Sequence, residues 1–182
     1  PREVRGRLKT APAAALGTAR DALDAEEYGR RAGIVKAHDI RFVLMNGGNG
    51  TMDACGRLEA ACRGTGIRVM GIPKTMDNDI AVTDHCPGFG SVARYMAGTI
   101  RELGVDVRSL PIHVVVVEAL GRNAGWTTAA AALAREQDED APHLLYPPER
   151  PFIEEEFLEE TAAMQRQYGG VGIGASEGLH GA

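Results

Sequence analysis

Residues 71–79 have the sequence Gly-Ile-Pro-Lys-Thr-Met-Asp-Asn-Asp and continue a mostly apolar run from Ile67 to Ile72. The run predicts a buried parallel strand, so the polar residues lie at its carboxyl end, where open α/β sheets bind their ligands. A lysine, a hydroxyl and two carboxylates gathered there suit a phosphate site with a base and a metal beside it. Asn and Asp are also ordinary turn formers, so a solvated loop is the alternative for this stretch alone.

Composition limits the classes of protein to consider. The chain has 182 residues, 44% hydrophobic and 25% charged, and a formal net charge of −5. These values predict a globular protein with one ample core or two small lobes. The negative charge gives no general footprint for nucleic acid, and no apolar run reaches the roughly 18 residues of a membrane span. Without a basic-then-apolar leader, we expect a cytoplasmic protein with neither nucleic acid nor membrane as partner. The three cysteines lack paired spacing and favour neither disulfides nor zinc.

A glycine-rich segment follows the predicted strand Phe42–Met45. Residues 46–51 are Asn-Gly-Gly-Asn-Gly-Thr, and a helix is predicted from about Met52 to Cys62 with Thr51 as its N-cap. The backbone N–H groups of such a turn and of a helix N-terminus bind phosphate well. The spacing matches neither a P-loop nor the dinucleotide fingerprint. A tight turn that merely requires glycine is the alternative.

A third strand and loop lie in the second half of the chain. Ile112–Glu118 is nearly continuous valine, which predicts a strand buried on both faces. Residues 119–126, Ala-Leu-Gly-Arg-Asn-Ala-Gly-Trp, come next, and an alanine-rich helix is predicted to about Arg135. Arg122 thus lies at a strand end, where a guanidinium would meet a phosphate or sugar hydroxyls. A surface arginine is the alternative.

The remaining elements complete an alternating pattern. Helices are predicted over about 21–37, 91–103 and 153–168, and strands over 144–146 and 171–175, the last ending at Ser176-Glu177-Gly178. Strands that alternate with helices predict an α/β fold with parallel sheets. The polar ends of successive strands should then share one cleft. Between them, Asp84-His85 forms either a catalytic pair or, as the local sequence favours, part of a turn.

Four of these segments carry a family resemblance. They are residues 47–51 (Gly-Gly-Asn-Gly-Thr), 73–79 (Pro-Lys-Thr-Met-Asp-Asn-Asp), 83–91 (Thr-Asp-His-Cys-Pro-Gly-Phe-Gly-Ser) and 118–125 (Glu-Ala-Leu-Gly-Arg-Asn-Ala-Gly). In this order and spacing the chain resembles the 6-phosphofructokinases from about Leu16 to Glu177. The resemblance implies three-layer parallel sheets with Rossmann-like βα units in two lobes, and an active site in the cleft between them.

The resemblance also implies how the lobes divide. We expect a phosphoryl-donor lobe over residues 1–88 and a sugar-phosphate lobe over 89–182. Both would be incomplete, because the family's opening glycine-rich loop would precede Pro1 and its 6-phosphate ligands would follow Ala182. We therefore expect this chain alone to be inactive, and the complete protein to be a homo-oligomer.

The implied reaction is a step of glycolysis, the transfer of a phosphoryl group from ATP to the 1-hydroxyl of fructose 6-phosphate with Mg²⁺. Asp77 resembles the base, and Thr75, Lys74 and Arg122 resemble the groups around the transferred phosphoryl. The donor-binding positions implied are Arg20, Gly48, Asn49, Gly50 and Thr51. The substrate-binding positions implied are Thr75, Met76, Asp77, His113, Leu120, Gly121, Arg122 and Glu177. Asp79 would hold the metal, with Asn49 as a weak second ligand.

Three positions depart from the family pattern. Asn49 stands where a metal-linked aspartate is usual, so one ligand charge is missing. His113 stands where many members have an arginine that reaches a neighbouring subunit's substrate. Leu120 replaces the usual methionine, which is a mild change.

The donor is predicted from two further positions. Glycine at position 50 accompanies ATP use in this family, because an aspartate there crowds the nucleotide. Lysine at position 74 is common in pyrophosphate enzymes of the family but also occurs with that glycine in some ATP-dependent members. We therefore favour ATP, with pyrophosphate as the alternative.

A function of another class is a phosphofructokinase-like lobe that has lost catalysis and binds an effector. Asn49 supports this alternative, and the intact Asp77, Asp79 and Lys74 oppose it. A nucleotide-binding dehydrogenase is disfavoured because no GxGxxG follows the strands.

Overall fold

A computed structural model of the protein describes Gly6, Leu8, Thr10 and residues 21–181. Strands and helices alternate along this part of the chain. They are α1 (Ala25–Ala37), β1 (Phe42–Gly47), α2 (Asn49–Ala61), β2 (Arg68–Pro73), α3 (Phe89–Ser109), β3 (Val114–Ala119), α4 (Trp126–Ala130) with a 3₁₀ turn over Ala131–Ala134, β4 (Leu144–Tyr146), α5 (Glu154–Tyr168) and β5 (Val171–Ser176). The predicted α/β class is confirmed.

The strands form two sheets. One contains β1 and β2, and the other has the order β3-β5-β4. In the second sheet β5 is parallel to both neighbours, with Val114 opposite Val171 and Leu144 opposite Ile173. Because parallel strands end at the same edge, the residues after β3 and β5 lie side by side.

The core of the second sheet lies around its central strand. Val171 and Ile173 of β5 are fully buried, and both α3 and α5 contact this strand. Gly172 allows a close approach, since a Cβ at this position would lie 2.8 Å from the Cβ of Ala141. On the side of α5, three rings pack edge to face or tilted, those of Tyr146, Phe152 and Phe157.

Two predictions about burial are wrong. β3 was expected to be buried on both faces, yet Val114 is 41% and Val116 52% exposed. The reason is that β3 is an edge strand, hydrogen-bonded to β5 alone within the described residues. β2 was also expected to be buried, yet only Val69 among its residues is even partly buried. The two-stranded sheet leaves the apolar side chains of β2 exposed over the part of the chain described here.

The helices agree with the sequence pattern in place but not always in extent. α1 begins with a capping box in which Asp24 accepts from the backbone of Glu27. α3, predicted over about 91–103, extends from Phe89 to Ser109 and places Met96 and Ile100 in the core, whereas Tyr95 is exposed. The alanine-rich helix ends its α-helical part at Ala130 rather than near residue 135.

The chain divides into two compact units. One comprises Pro1–Val43 with Cys55–Met70, and the other comprises Leu44–Ala54 with Gly71–Ala182. The lobe boundary predicted between residues 88 and 89 stays a prediction. The ends of β1, β2, β3 and β5 all belong to the second unit, so the candidate site is described within that unit. Among the residues described, no helix is both long and apolar enough to cross a membrane.

Candidate active site

The segment that leaves β2, residues 74–79, is called the β2 loop. Thr75, Asp77 and Asn78 in it are buried, with Asp77 9% exposed. The hydroxyl oxygen of Thr75 accepts a hydrogen bond from the backbone N–H of Asp77 at 3.1 Å. This bond is a Ser/Thr turn, and it fixes the backbone that carries the Asp77 carboxylate. The loop is therefore a buried, internally bonded structure, and the alternative of a solvated loop is wrong.

Asn78 in the β2 loop was not singled out from the sequence as a site residue. Its backbone is left-handed, with φ of 58°. Its side-chain oxygen accepts from the backbone N–H of Cys86 at 2.8 Å, and its amide donates to the carbonyl of Asp84 at 3.3 Å. The β2 loop is thus bonded to the segment that precedes α3.

The glycine-rich segment after β1 passes directly into α2. A Cβ on Gly47 would lie 2.1 Å from the Thr51 hydroxyl oxygen, so this position requires glycine. The backbone N–H of Lys74 donates to the Gly47 carbonyl at 2.9 Å, which joins this segment to the β2 loop. The prediction of Thr51 as N-cap is wrong, because α2 begins at Asn49 and includes Thr51 in its first turn. First-turn N–H groups have no carbonyl partner within the helix, as an anion site requires.

The two predicted metal ligands contact each other. The side-chain amide of Asn49 donates to one oxygen of Asp79 at 2.5 Å. The other oxygen of Asp79 is buried and lacks a hydrogen-bond partner among the described residues. No group of three or more His, Cys, Asp or Glu side chains within residues 21–181 is arranged to hold a metal ion.

The segment after β3, residues 120–125, is called the β3 loop. Gly121 and Arg122 both have positive φ, 145° and 50°. One carboxylate oxygen of Glu177 accepts from both of their backbone N–H groups, at 3.0 Å each. These two bonds hold the pKa of Glu177 below its ordinary value.

The end of β5 fixes the β3 loop from a second side. The hydroxyl of Ser176 lies 3.5 Å from the Arg122 carbonyl and accepts from the N–H of Gly178 at 3.1 Å. A Cβ on Gly178 would lie 1.7 Å from that same carbonyl oxygen, so only glycine fits here. At the other end of the β3 loop, Glu149 accepts from the N–H of Gly125 at 2.7 Å. Neither Glu149 nor the Gly178 contact was inferred from the sequence, because both partners are distant in the chain.

Asp77 and Arg122 bring the two loops together. The Nε of Arg122 lies 3.9 Å from a carboxylate oxygen of Asp77. The arginine side chain is 64% exposed and the aspartate 12%, so water screens much of the attraction. A buried carboxylate next to a solvent-facing guanidinium suits a site where an anion binds beside a base.

The other predicted site residues lie in several segments. Lys74 and Met76 belong to the β2 loop, and Gly48 lies between β1 and α2. Leu120, 53% exposed, precedes Gly121 in the β3 loop. His113 precedes β3, at the opposite end of the strand from Arg122; its carbonyl accepts from the N–H of Val171. The structure does not bring His113 to the Asp77–Arg122 pair. Arg20 lies outside the described residues.

Comparison with known proteins identifies the family. The model of the family described as Phosphofructokinase matches residues 2–180. The chain therefore belongs to the phosphofructokinase family. It is 40% identical over 182 residues to the pyrophosphate–fructose 6-phosphate 1-phosphotransferase of Xanthomonas campestris pv. campestris, covering 94% of this chain and 44% of that protein. It is 36% identical over 121 residues to the ATP-dependent 6-phosphofructokinase of Amycolatopsis methanolica, covering 65% of this chain and 26% of that protein.

Comparison with a solved structure agrees with the family match. The pyrophosphate-dependent phosphofructokinase from Marinobacter aquaeolei has a TM-score of 0.82 and 36% identity, and the match covers 100% of this chain and 47% of that one. The chain thus spans about half the length of the Xanthomonas relative and of the Marinobacter protein.

Proposed function

We propose that the whole protein transfers a phosphoryl group to the 1-hydroxyl of fructose 6-phosphate. The observation that carries the proposal is the buried Asp77 carboxylate at the end of β2, 3.9 Å from the guanidinium of Arg122. Family membership supports the same reaction. The relatives named above are a pyrophosphate–fructose 6-phosphate 1-phosphotransferase, an ATP-dependent 6-phosphofructokinase and a pyrophosphate-dependent phosphofructokinase.

Asp77 is the proposed base. Its carboxylate takes the proton of the sugar hydroxyl as that oxygen forms a bond to phosphorus, while the bond from phosphorus to the donor oxygen breaks. Such a positioned base contributes about 10²–10⁴-fold to the rate. The Thr75 turn holds the Asp77 backbone, which limits the positions that the carboxylate can take.

Arg122 and Lys74 supply positive charge. Phosphoryl transfer asks the protein mainly for positioning and for stabilisation of charge on the equatorial oxygens. Arg122 lies beside the base, and Lys74 follows β2 directly, with its side chain exposed. The N–H groups in the first turn of α2 suit the phosphates of the donor.

Mg²⁺ fits this site in part. Asp79 has one buried oxygen without a hydrogen-bond partner, whereas its other oxygen is occupied by Asn49. Mg²⁺ in sites of this kind is held by one or two carboxylates together with substrate phosphates. Asp79 would therefore hold the ion along with the donor, and the ion would neutralise the phosphate charge.

ATP is the donor we propose. A Cβ on Gly50 would meet no heavy atom within 4 Å, so the glycine leaves open space at the predicted donor position. Pyrophosphate is the second candidate, favoured by the name of the relative with 40% identity. Overall identity does not decide between them, because one or two side chains at the donor site determine which donor has room.

Steady-state assays of the whole protein with fructose 6-phosphate, Mg²⁺ and either donor test the reaction. We expect fructose 1,6-bisphosphate to form with ATP. In the Gly50→Asp variant, ATP binding measured by calorimetry should fall far more than pyrophosphate binding. Gly56→Asp is the matched control, since Gly56 lies on the same helix and also has open space around it. Equal losses for both donors would make Gly50 a turn residue only.

An effector-binding lobe without catalysis is the second candidate function. The hydrogen bond from Asn49 to Asp79 favours it, because a neutral amide holds a carboxylate that would otherwise be free for a metal. Asn49→Asp separates the two functions. If the wild-type protein is inert with both donors and Asn49→Asp is active, the effector-binding function is right.

A further inference from the structure

We propose that Asn78 is a positioning residue for Asp77 and Asp79, and that it acts through hydrogen bonds between the β2 loop and the segment that precedes α3. This inference rests on the proposed function, in which Asp77 is the base. Asn78 lies between the two carboxylates and is 6% exposed. Its place in the chain means that any movement of its backbone moves both aspartates.

The first part of the argument is the geometry of the side chain. The oxygen of Asn78 accepts from Cys86 N–H and its amide donates to the Asp84 carbonyl, at 2.8 and 3.3 Å. An amide side chain both accepts and donates, whereas a carboxylate only accepts. Asparagine is therefore the side chain of this size that makes both bonds.

The second part is the rigidity of the partner. Cys86 is fully buried, and its carbonyl accepts from the N–H of Phe89, the first residue of α3. α3 has 21 residues and packs into the core through Met96 and Ile100. The bonds of Asn78 thus connect the β2 loop to the segment that leads directly into a long packed helix.

The third part is the backbone of Asn78 itself. A left-handed conformation is costly for most residues but is tolerated by asparagine and free of strain for glycine. Thr75 fixes Asp77 from one side, and Asn78 fixes it from the other. Catalytic positions held by a second layer of bonds are the ones where small displacements cost rate, about 10²-fold for 1 Å.

The test uses Asn78→Gly in the whole protein. Glycine keeps the left-handed backbone and removes both side-chain bonds. We expect kcat to fall by roughly 10–10²-fold, while the KM values for sugar phosphate and donor change little. Val82→Gly is the matched control, because Val82 also has positive φ, 56°, and is fully exposed four residues further on. This control should leave kcat unchanged.

Asn78→Asp separates the two bonds of the side chain. It keeps the acceptor for Cys86 and loses the donor to Asp84. We expect hydrogen exchange at the Cys86 amide to stay near the wild-type rate in this variant and to rise in Asn78→Gly. A loss of kcat with unchanged KM values in Asn78→Gly is the readout that a purely structural role would not move.

The outcomes decide the proposal separately from the proposed function. Wild-type-like kcat in Asn78→Gly overturns it, and so does a loss explained wholly by a smaller folded fraction in thermal unfolding. If the wild-type protein has no activity with either donor, the proposed function fails. Hydrogen exchange at the Cys86 amide then still tests whether Asn78 holds the β2 loop to this segment. The exchange rate is expected to rise by about tenfold or more in Asn78→Gly. An unchanged exchange rate overturns it.

Discussion

The β2 loop and the β3 loop each hold a proposed functional side chain in place, and they are stabilised by different kinds of contact. Each holds one non-glycine residue with positive φ. In the β2 loop it is Asn78 at 58°, next to Asp77, and in the β3 loop it is Arg122 at 50°, the proposed functional residue itself. In the centre of the β2 loop, the hydrogen bonds of Asp77 and Asn78 reach no more than eight positions, to Thr75 and Cys86. Longer-range bonds join the two ends of this loop, Lys74 to Gly47 and Asp79 to Asn49. The β3 loop is held by carboxylates 24 to 56 positions away. The centre of the β2 loop is thus held locally, whereas the β3 loop depends on residues that reach it only in the assembled sheet.

The difference fits the roles we propose. Asp77 is buried, and the proposed role as base requires its direction to be set before substrate binds. Short-range bonds within the β2 loop and to the segment before α3 serve that purpose. Arg122 is mostly exposed and meets an anion, so its guanidinium needs freedom while its backbone stays fixed. Glu177 and the end of β5 provide that arrangement. Variants of each loop test whether the comparison holds.

The largest expected effect on activity comes from replacing Asp77 in the β2 loop. Asp77→Ser removes the proposed base and keeps a small polar side chain. We expect kcat to fall by about 10²–10⁴-fold, with donor binding preserved. Steady-state turnover and calorimetry with the donor measure the two quantities.

Asp84→Ser is the control for this variant. Asp84 is exposed, and its backbone carbonyl, not its side chain, accepts the bond from Asn78. We expect near-normal turnover. If Asp84→Ser lowers turnover as much as Asp77→Ser does, the Asp84-His85 pair is part of the catalytic machinery. Near-normal turnover of Asp77→Ser would show that Asp77 is not the base.

The local character of the β2 loop explains why so much of it was predictable. The polar residues after an apolar run predicted a strand end, and the order of motifs predicted the phosphofructokinase family, which the family match confirms. The roles of Asp77 and Arg122 stay predictions, although the structure places the two side chains next to each other.

The long-range contacts were beyond the reach of the sequence. Nothing in the local pattern around Glu149 or Gly178 indicates a partner in the β3 loop, because the pairing exists only after β3, β4 and β5 have formed their sheet. The prediction that β3 is buried on both faces failed for a similar reason. Valine periodicity predicts an apolar strand but does not say whether a layer covers it, and Val116 in the edge strand β3 is exposed.

The second prediction concerns the packing behind Arg122. Gly178→Ala would place a Cβ 1.7 Å from the Arg122 carbonyl oxygen, a backbone atom that must move. Because the displacement reaches the guanidinium, we expect kcat/KM for the sugar phosphate to fall by about 10²-fold. Calorimetry should find donor binding little changed.

Gly181→Ala is the matched control for the packing variant, because a Cβ on Gly181 would meet no heavy atom within 4 Å. It should behave as wild type. Equal losses in Gly178→Ala and Gly181→Ala would mean that the end of β5 is sensitive to any added side chain, and that the contact with Arg122 is not the cause.

The smallest expected effect comes from Glu177→Gln. The glutamine carbonyl can still accept from Gly121 and Arg122, so the β3 loop keeps its shape and kcat should fall only severalfold.

What Glu177→Gln changes is the charge. The two N–H bonds lower the pKa of Glu177 in the folded protein relative to its ordinary 4.5, so the unfolded chain binds the proton more readily. The stability that Glu177 contributes is therefore present above about pH 4.5 and is lost as the pH falls through the lower folded value. Thermal midpoints of wild type and Glu177→Gln should differ most near neutral pH and converge in acid. Glu149→Gln is the control, because Glu149 is the carboxylate that accepts from the other end of the β3 loop. A difference that stays constant with pH would mean that the charge of Glu177 does not hold the β3 loop, and the contrast between the two loops would then rest on packing alone.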